Sequence, residues 1–480
     1  MIHRPVKLLS IVLVLFLVIS CGKSTGPQLP LSLHPQNPNY FLFRGKPAIL
    51  IGSTEHYGAV MNLDFDYVTY LNEVAASGLN VTRTFSGVYV EPVGAFGIRK
   101  NTLAPAPQRY ICPWARSSEP GYSNGGNKFD LSVWDTAYFS RLKDFITEAG
   151  KRDVIVELDL FSNFYDTIQW KLSPLNIINN VNGIGNIKDH KEILTLRHPE
   201  ILDIQEKMVR KIISELKDFD NLYYEVCNEP YFGDTLALRE WEDQMTRIVV
   251  AAGKDFPAKH LISNNVANGF RKVPDLRQGV SIYNFHYAKP PVTVAMNRHL
   301  NSVVGDNETG FNGTGDATYR TEAWNFIMAG GGLFNHLDYS FTADNEDGSF
   351  KIDPGQPGGG GKILRNQFKI LAEFMQSLSY INMKPAGDET VRLKDEENTS
   401  VYGLIEESKV MAFYLSRKDT SSVVSHLVVN LQAGTYTLKW IDTKGAAETV
   451  SSLNKHPGGW TTITSPPYIT DVALKLVKSN

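Results

Sequence analysis

The feature that most constrains the fold is a regular alternation of short apolar runs with helical segments, which begins near residue 48. Alternation of this kind predicts parallel strands that are connected by helices. Eight runs have the length and composition of strands: 48–53, 80–85, 154–161, 222–227, 261–264, 280–285, 303–305 and 332–338. Eight strand–helix units over about 330 residues fit an α/β fold of the (β/α)₈ TIM-barrel type better than an open sheet.

The pattern changes after the last predicted helix. Residues 39–384 form the predicted barrel, whereas residues 385–480 alternate apolar and polar positions between glycine-containing turns. Alternation with a period of two predicts antiparallel strands that bury one face. We therefore expect a small all-β sandwich of seven or eight strands after the barrel.

The first 21 residues have the features of an export signal. Arg4 and Lys7 precede an apolar run at 8–19, which is shorter than the roughly 20 residues of a membrane-spanning helix. The run ends at Cys21, and this end resembles the lipidation site of bacterial lipoproteins. The resemblance implies an acylated Cys21, membrane contact through this anchor alone, and a place in the bacterial cell envelope, at the outer membrane or in the periplasm. An ordinary secretory signal with an incidental cysteine is the alternative.

Composition excludes several other classes of protein. The formal net charge is −3 and no basic stripe is present, so nucleic acid is not an expected partner. The histidines are scattered, with no HExxH sequence and no paired-cysteine spacing, so we predict neither a metal site nor a cofactor. Residues 22–38 are polar and proline-rich, which predicts a tether between the anchor and the barrel.

Two glutamates stand at the ends of predicted strands. Glu229 follows the fourth run and Glu308 follows the seventh. Side chains at the carboxyl ends of barrel strands converge over the barrel axis, where the active sites of this fold lie. Two carboxylates roughly 5 Å apart have the geometry of a retaining glycosidase, in which one is a protonated acid and the other an ionised nucleophile. Asp306 lies near Glu308 in the sequence and is the alternative for the second carboxylate.

An Asn-Glu-Pro sequence closes the fourth strand, and a glutamate closes the seventh. This arrangement resembles clan A of the glycoside hydrolases, especially its cellulase-like family 5, over the whole barrel. The resemblance implies that Glu229 is the acid/base and Glu308 the nucleophile. It also implies that Asn228 binds a sugar hydroxyl and that Arg83 keeps the nucleophile ionised. The implied partner is a carbohydrate substrate.

Strands six and eight depart from the family pattern. His286 matches the family's strand-six histidine, but Ala288 stands where a tyrosine is usual. Tyr287 could substitute only if the strand register bends. The family also commonly has a tryptophan at the end of strand eight, and here Tyr339 or Phe341 could supply the platform under the sugar.

Further residues are expected around the same cleft. His56 and Tyr57 follow the first strand and could line it. Long insertions at 86–129 and 162–198 lie on the active face and are typical of functional loops. They carry Trp114 and Trp170, which either stack on sugar rings or pin the loops to the barrel, and Asp159 is expected to face the barrel interior.

These expectations describe a retaining glycoside hydrolase that cleaves β-glycosidic bonds of a polysaccharide or oligosaccharide by double displacement. The alternative from another class is a non-catalytic surface lipoprotein that binds glycans on a glycosidase barrel. A phosphate-binding or metal-dependent barrel enzyme fits less well, because the glycine triplet at 330–332 lies before strand eight rather than after it. The glycan, its linkage and the choice between endo and exo cleavage stay open.

Overall fold

Eight parallel strands form a ring at the centre of the first domain. The computed structural model describes residues 29–256, 259–394, 398–418 and 421–479. The strands are β1 (Leu50–Thr54), β2 (Val81–Phe85), β3 (Ile155–Ser162), β4 (Leu222–Asn228), β5 (Ile262–Asn265), β6 (Ile282–His286), β7 (Val303–Thr309) and β8 (Leu333–Leu337). They pair in the order β1-β8-β7-β6-β5-β4-β3-β2. Asn80 closes the ring, since its N–H donates to Ile51 O (3.1 Å) and its Oδ1 accepts from Ile51 N (2.8 Å).

The predicted TIM barrel with an all-β second domain is confirmed. Every position in the eight strands is buried, which explains the near-continuous apolar runs of the sequence. The largest difference is in the seventh strand, which continues to Thr309 instead of ending at Gly305. Its last four residues, 306–309, are polar, so the apolar signal stops before the strand does.

Helices cover the outside of the ring. They are α1 (Tyr67–Ala76), α2 (Thr136–Gly150), α3 (Thr167–Leu172), α4 (Pro199–Leu216), α5 (Thr235–Ala252), α6 (Val292–Asn297), α7 (Asp316–Met328) and α8 (Lys362–Gln376). Aspartates cap several of them: the Asp135 side chain accepts two backbone N–H bonds at the start of α2, and Asp234 does so at the start of α5. In the part of the chain that the structure describes, no helix is both long and apolar enough to cross a membrane.

The amino-terminal end of the barrel is closed by three short antiparallel strands, Ser32–Leu33, Phe41–Phe43 and Lys46–Ala48. Leu31 and Phe41 are fully buried against the first residues of the barrel strands, such as Val303. The tether predicted for 22–38 is therefore wrong for its described part, because these residues cover the barrel floor. The predicted signal and Cys21 lie outside the described residues.

Two antiparallel sheets form the second domain. Their described strands are β9 (Lys384–Pro385), β10 (Val391–Leu393), β11 (Thr399–Glu406), β12 (Val410–Arg417), β13 (His426–Leu431), β14 (Gly434–Ile441), β15 (Glu448–His456), β16 (Gly459–Thr464) and β17 (Asp471–Lys478). Six pair in the order β9-β11-β12-β17-β14-β15 and three in the order β10-β13-β16. The domain packs on α7, where Arg320 forms a buried ion pair with Asp471 (2.6 Å) and Trp324 stacks on Tyr414.

Candidate active site

Glu229 and Glu308 meet at the carboxyl end of the barrel. Glu229 directly follows β4, and Glu308 is the penultimate residue of β7. Both side chains are largely buried, each with 7% of the residue exposed. One oxygen of Glu229, one oxygen of Glu308 and a ring nitrogen of His286 all lie within 4.8 Å of one another. The sequence prediction that these two carboxylates converge therefore agrees with the geometry.

A bulge in β7 aims these side chains. Phe285 of β6 pairs with Asp306, but the next residue, His286, pairs with Glu308, so Asn307 is the extra residue. Asn307 consequently points into the barrel, where its Nδ2 donates to Glu157 and Glu225. The backbone at Glu229 also has a positive φ of 50°, which turns its side chain out of the strand direction.

The same bulge accounts for the departures in strand six. Tyr287 has a φ of 55°, and its hydroxyl donates to Glu308 Oε1 at 2.8 Å. The bend in the chain therefore brings Tyr287 to the position of the tyrosine that is usual in the family. Ala288 does not face Glu308, and its backbone N–H donates to Asp306 (3.2 Å). Asp306 is buried behind the strand and does not line the cavity, so it is not positioned to replace Glu308.

Arg83 lies directly beneath Glu308 and is fully buried. Its Nη1 donates to Glu308 Oε2 (2.9 Å), while Nη2 donates to Asn228 Oδ1 (2.7 Å). Asp159 accepts two further bonds from the guanidinium, at 3.0 and 2.8 Å, and Glu225 accepts another at 2.8 Å. A guanidinium fixed by this many acceptors cannot reorient, so it holds one oxygen of Glu308 in place.

The barrel interior below Arg83 is rich in acidic groups. Burial, followed by repulsion from Glu225, raises the pKa of Glu157 to about 8. Burial also opposes ionisation of Glu225, but the charge of Arg83 and a hydrogen bond from Asn284 outweigh it and lower that pKa. Ionisation is therefore favoured at Glu225 over Glu157, which limits the negative charge beneath Glu308.

Glu229 has a different set of partners. Tyr165 donates to Oε2 (2.6 Å), whereas Asn268 Nδ2 and His286 Nδ1 lie 2.9 Å from Oε1. Burial would raise the pKa of Glu229, but the hydrogen bond and charge of His286 and the tyrosine hydroxyls lower it to about 2. For His286 the effect of burial has the opposite sign: burial would lower its pKa, but the charges of Glu308 and Glu229 raise it. In the free site the shared proton consequently resides on the imidazole.

The carboxylates open into a cavity of about 270 Å³ with aromatic walls. Asn228, His56, Tyr57 and Tyr287 line it as predicted from the sequence. Residues that the sequence did not single out complete the wall: Phe85, Tyr89, Glu91, Phe96, Leu103, Tyr165, Tyr231, Phe232, Asn268 and Phe311. Most of these residues lie in loops without periodicity. The sequence does not distinguish an aromatic residue that lines the cavity from one that packs inside a loop.

The predicted stacking platforms Trp114 and Trp170 do not reach this cavity. Both are buried, at 0% and 1% exposure. Trp114, in the strand Trp114–Pro120, stacks on Trp134 of the paired strand Asn127–Trp134, and Trp170 Nε1 donates to Ile187 O (3.0 Å). Both side chains therefore hold the loop regions together instead of offering a platform, because a sugar cannot stack on an indole without accessible surface.

The predicted strand-eight platform is also displaced. Tyr339 is 6% exposed and packs edge-on against Phe311, so that Phe311, not Tyr339, lines the cavity. Phe341 is buried against Tyr70 and cannot contact a ligand. The glycine loop at 358–361 covers Tyr339, since a Cβ on Gly358 would lie 2.1 Å from its ring.

Two groups of side chains in the described part of the chain have the donor set for a divalent cation. One is Glu229, His286 and Glu308, and the other is Glu157, Asp159 and Glu225. In the second group the Arg83 guanidinium already occupies the space between the carboxylates (2.8 Å to Asp159 and to Glu225). In the first, the imidazole nitrogen is already hydrogen-bonded to Glu229.

Comparison with protein-family models gave no match to this chain, and comparison with curated proteins gave none either. Solved structures do share its fold. A family 5 glycoside hydrolase from Bacteroides vulgatus ATCC 8482 has a TM-score of 0.61 and 12% identity, over 94% of this chain and 93% of that one. Another glycoside hydrolase has a TM-score of 0.60 and 13% identity, over 94% and 97%.

The endo-1,4-beta-mannanase of Rhizomucor miehei is also similar, with a TM-score of 0.51 and 13% identity over 73% of this chain and all of that one. At such low identity these likenesses establish the fold, which is a fold of glycoside hydrolases. They leave chemistry to be argued from the residues of the site.

Proposed function

We propose that this chain is a retaining glycoside hydrolase that cleaves β-linked sugars by double displacement. The observation that carries the proposal is the pair Glu229 and Glu308. One carboxylate oxygen of Glu229 lies within 4.8 Å of one carboxylate oxygen of Glu308 at the mouth of the barrel. Retaining enzymes need carboxyl groups about 5–5.5 Å apart, whereas inverting enzymes need roughly 6.5–9.5 Å to admit a water molecule.

In the first step, Glu308 attacks the anomeric carbon and the glycosidic C–O bond breaks as Glu229 gives its proton to the leaving oxygen. Arg83 and Tyr287 donate to the two oxygens of Glu308 and hold the carboxylate in place for the attack. In the second step, Glu229 takes a proton from water, the water oxygen bonds to the anomeric carbon, and the ester to Glu308 breaks.

His286 couples the two carboxylates during the first step. Its Nδ1 lies 2.9 Å from Glu229 Oε1 and 3.6 Å from Glu308 Oε1, so both charges stabilise the imidazolium. When Glu308 forms its ester it loses its charge, and the pKa of His286 falls. The proton then passes from His286 Nδ1 to Glu229, and Glu229 protonates the leaving oxygen.

The cavity wall supports a sugar ligand. Its aromatic side chains offer flat apolar faces, and its carboxylates and amides offer acceptors and donors for hydroxyls. The volume of about 270 Å³ is just below the range of ligand pockets, roughly 300–1,000 Å³, which suits a short segment of a glycan. We further propose that Cys21 anchors the enzyme in the cell envelope, since the segment before it has the features of a lipoprotein signal. Cys21→Ser would move the protein out of the membrane fraction.

The proposal is tested by incubating the purified chain, from about residue 29 onward, with a panel of β-linked polysaccharides. Release of reducing ends is measured, and NMR follows the anomer that is formed first. We expect a β-anomer from wild type and a loss of about 10⁵-fold in Glu308→Ala. The α-anomer, or unchanged turnover in Glu308→Ala, would contradict the mechanism. Glycan binding without hydrolysis by wild type would instead identify a non-catalytic binding protein.

A further inference from the structure

A third carboxylate, Glu91, lies in the same cavity and has no part in the double displacement. It belongs to the insertion after β2, where its N–H donates to Leu103 O (2.9 Å). The Tyr89 hydroxyl donates to Oε1 (3.0 Å), and Asn101 Nδ2 donates to Oε2. Only 4% of Glu91 is exposed. The insertion therefore builds a fixed position for a buried charge.

His56 is the ionic partner of Glu91, with Nε2 3.4 Å from Glu91 Oε2. His56 is itself nine-tenths buried, and its Nδ1 has no hydrogen-bond partner among the described residues. A carboxylate has about four acceptor positions, whereas the protein supplies Glu91 with three donors. The pair thus has hydrogen-bonding capacity that the folded chain leaves unused, on a surface that faces the cavity.

The strand order places His56 on the glycon side of the scissile bond, and the ion pair of 3.4 Å holds the carboxylate of Glu91 beside it. His56 follows β1, which is separated from β7 by β8 alone but from β4 by β3 and β2. The acid Glu229, after β4, must face the leaving group, whereas Glu308, in β7, must face the anomeric carbon. The sugar ring attached to that carbon therefore extends towards His56 and Glu91.

The charges of the cavity restrict what that sugar can be. Glu91, Glu229 and Glu308 all line it, and no lysine or arginine is among its described lining residues. Arg83 is fully buried below the nucleophile and has its donors engaged. The one lining side chain that can carry a positive charge, His56, is already paired with Glu91, so a uronic acid or a sulfated sugar would bring a further negative charge beside three carboxylates.

We infer that Glu91 is a specificity-determining residue that accepts a hydrogen bond from a hydroxyl of the glycon. The site takes a neutral sugar at this position and rejects a uronic acid. This inference rests on the proposed function and adds the chemical class of its substrate. A carboxylate that accepts a hydroxyl discriminates more strongly than an apolar wall, because its desolvation is compensated only by the correct ligand.

The test measures kcat/KM for the 2,4-dinitrophenyl β-glycosides of glucose, galactose, mannose, xylose and glucuronic acid. For wild type we expect at least 100-fold preference for the best neutral sugar over the glucuronide. For Glu91→Gln we expect a roughly 10- to 100-fold loss with that neutral sugar and a smaller preference over the glucuronide. The matched control is Glu119→Gln, an exposed glutamate of the same insertion that pairs with Lys128, and it should behave like wild type.

A second measurement separates recognition from folding. Deoxy derivatives of the best neutral glycoside should lower wild-type turnover when the hydroxyl facing Glu91 is missing, and the same derivative should cost Glu91→Gln less, because an amide oxygen is a weaker acceptor than a carboxylate. Glu308-dependent turnover that is equal in Glu91→Gln and Glu119→Gln, or preference for the glucuronide, would overturn this inference and leave the proposed function standing. Absence of turnover with every glycoside and polysaccharide would overturn the proposed function and this inference with it.

Discussion

The environments of Glu308 and Glu229 differ although the two residues are equally buried. Glu308 is held by the Arg83 guanidinium and the Tyr287 hydroxyl, neither of which gives up a proton near neutral pH. Glu229 is held by His286, whose proton is mobile in that range, and by the amide of Asn268. One carboxylate is thus held by donors that keep their protons, while the other is connected to a source of protons.

Under the proposed function, one ring of strands assigns two chemical roles to the same residue type. The role depends on the donors that the neighbouring strands supply, and not on burial, which is the same for both carboxylates. His286 lies between them and senses the charge of each. Each of the four substitutions below changes one residue of this arrangement.

Arg83→Met should have the largest effect. It removes the cation from between Asp159, Glu225 and Glu308 and leaves buried carboxylates without a counter-charge. We expect the free energy of unfolding, from urea titration, to fall by roughly 3–5 kcal/mol, with no measurable turnover. Arg99→Met, which breaks an exposed pair with Asp353, should cost less than about 1 kcal/mol. Equal losses of stability in the two variants would show that the buried ion pairs of Arg83 stabilise the fold no more than an exposed pair does.

Glu229→Gln should separate the acid from the nucleophile. Glutamine keeps the shape but cannot protonate a leaving oxygen, so kcat/KM should fall by roughly 10²–10⁴-fold for poor leaving groups. With a dinitrophenyl leaving group, which needs no proton, the first step should remain fast and the glycosyl-enzyme should accumulate. An equal loss with both kinds of leaving group would assign Glu229 a role other than general acid.

His286→Asn should change the pH dependence as well as the rate, which we expect to fall by about 100-fold. In wild type, the raised pKa of His286 retains the shared proton, so kcat/KM declines only as the pH rises through that value. Without the imidazole, burial raises the pKa of Glu229 from about 2, and the proton is then lost from a carboxyl group. The alkaline limb of the kcat/KM profile should therefore move to lower pH, and an unmoved limb would argue against proton sharing.

Stability follows the same two groups in opposite directions. The pKa of His286 is raised in the folded chain, so its stabilising contribution is complete below its unfolded value and is lost as the pH rises through the folded pKa. The pKa of Glu229 is lowered, so its contribution is present above its unfolded value and is lost as the pH falls towards about 2.

Tyr287→Phe should have the smallest effect. It removes one of two hydrogen bonds to Glu308 and should lower kcat by roughly 10-fold. The matched control is Tyr339→Phe, since the Tyr339 hydroxyl is buried without a hydrogen-bond partner in the described structure. The control should leave kcat unchanged. Equal losses would show that the hydroxyl of Tyr287 does not act on the nucleophile.

The parts of this site that sequence alone could predict are those fixed by strand periodicity. Apolar runs set the ring, and the ring sets the ends at which Glu229 and Glu308 stand. The bulge at Asn307 could not be predicted, because it follows from how β7 pairs with its neighbours rather than from local composition. Without the bulge, the hydroxyl of Tyr287 would not be directed at Glu308.

The loops were the least predictable part. The sequence predicts that Trp114 and Trp170 either stack on sugar rings or pin the loops, and tertiary packing buries both. The smaller Phe96, 44% exposed, and Phe311 lie at the cavity instead. Glu91 carried no signal either, since a single glutamate in a long insertion has the appearance of any solvated charge until the fold brings His56 beside it.

The most direct test of the central claim is to trap the intermediate on its nucleophile. The enzyme would be incubated with the 2-deoxy-2-fluoro derivative of its best dinitrophenyl β-glycoside, and the labelled residue identified by intact mass and peptide mapping. The account predicts one sugar per chain, as an ester on Glu308, and no label in Glu308→Ala. A label on Asp306 or Glu229, or hydrolysis that proceeds with inversion and no label, would contradict it.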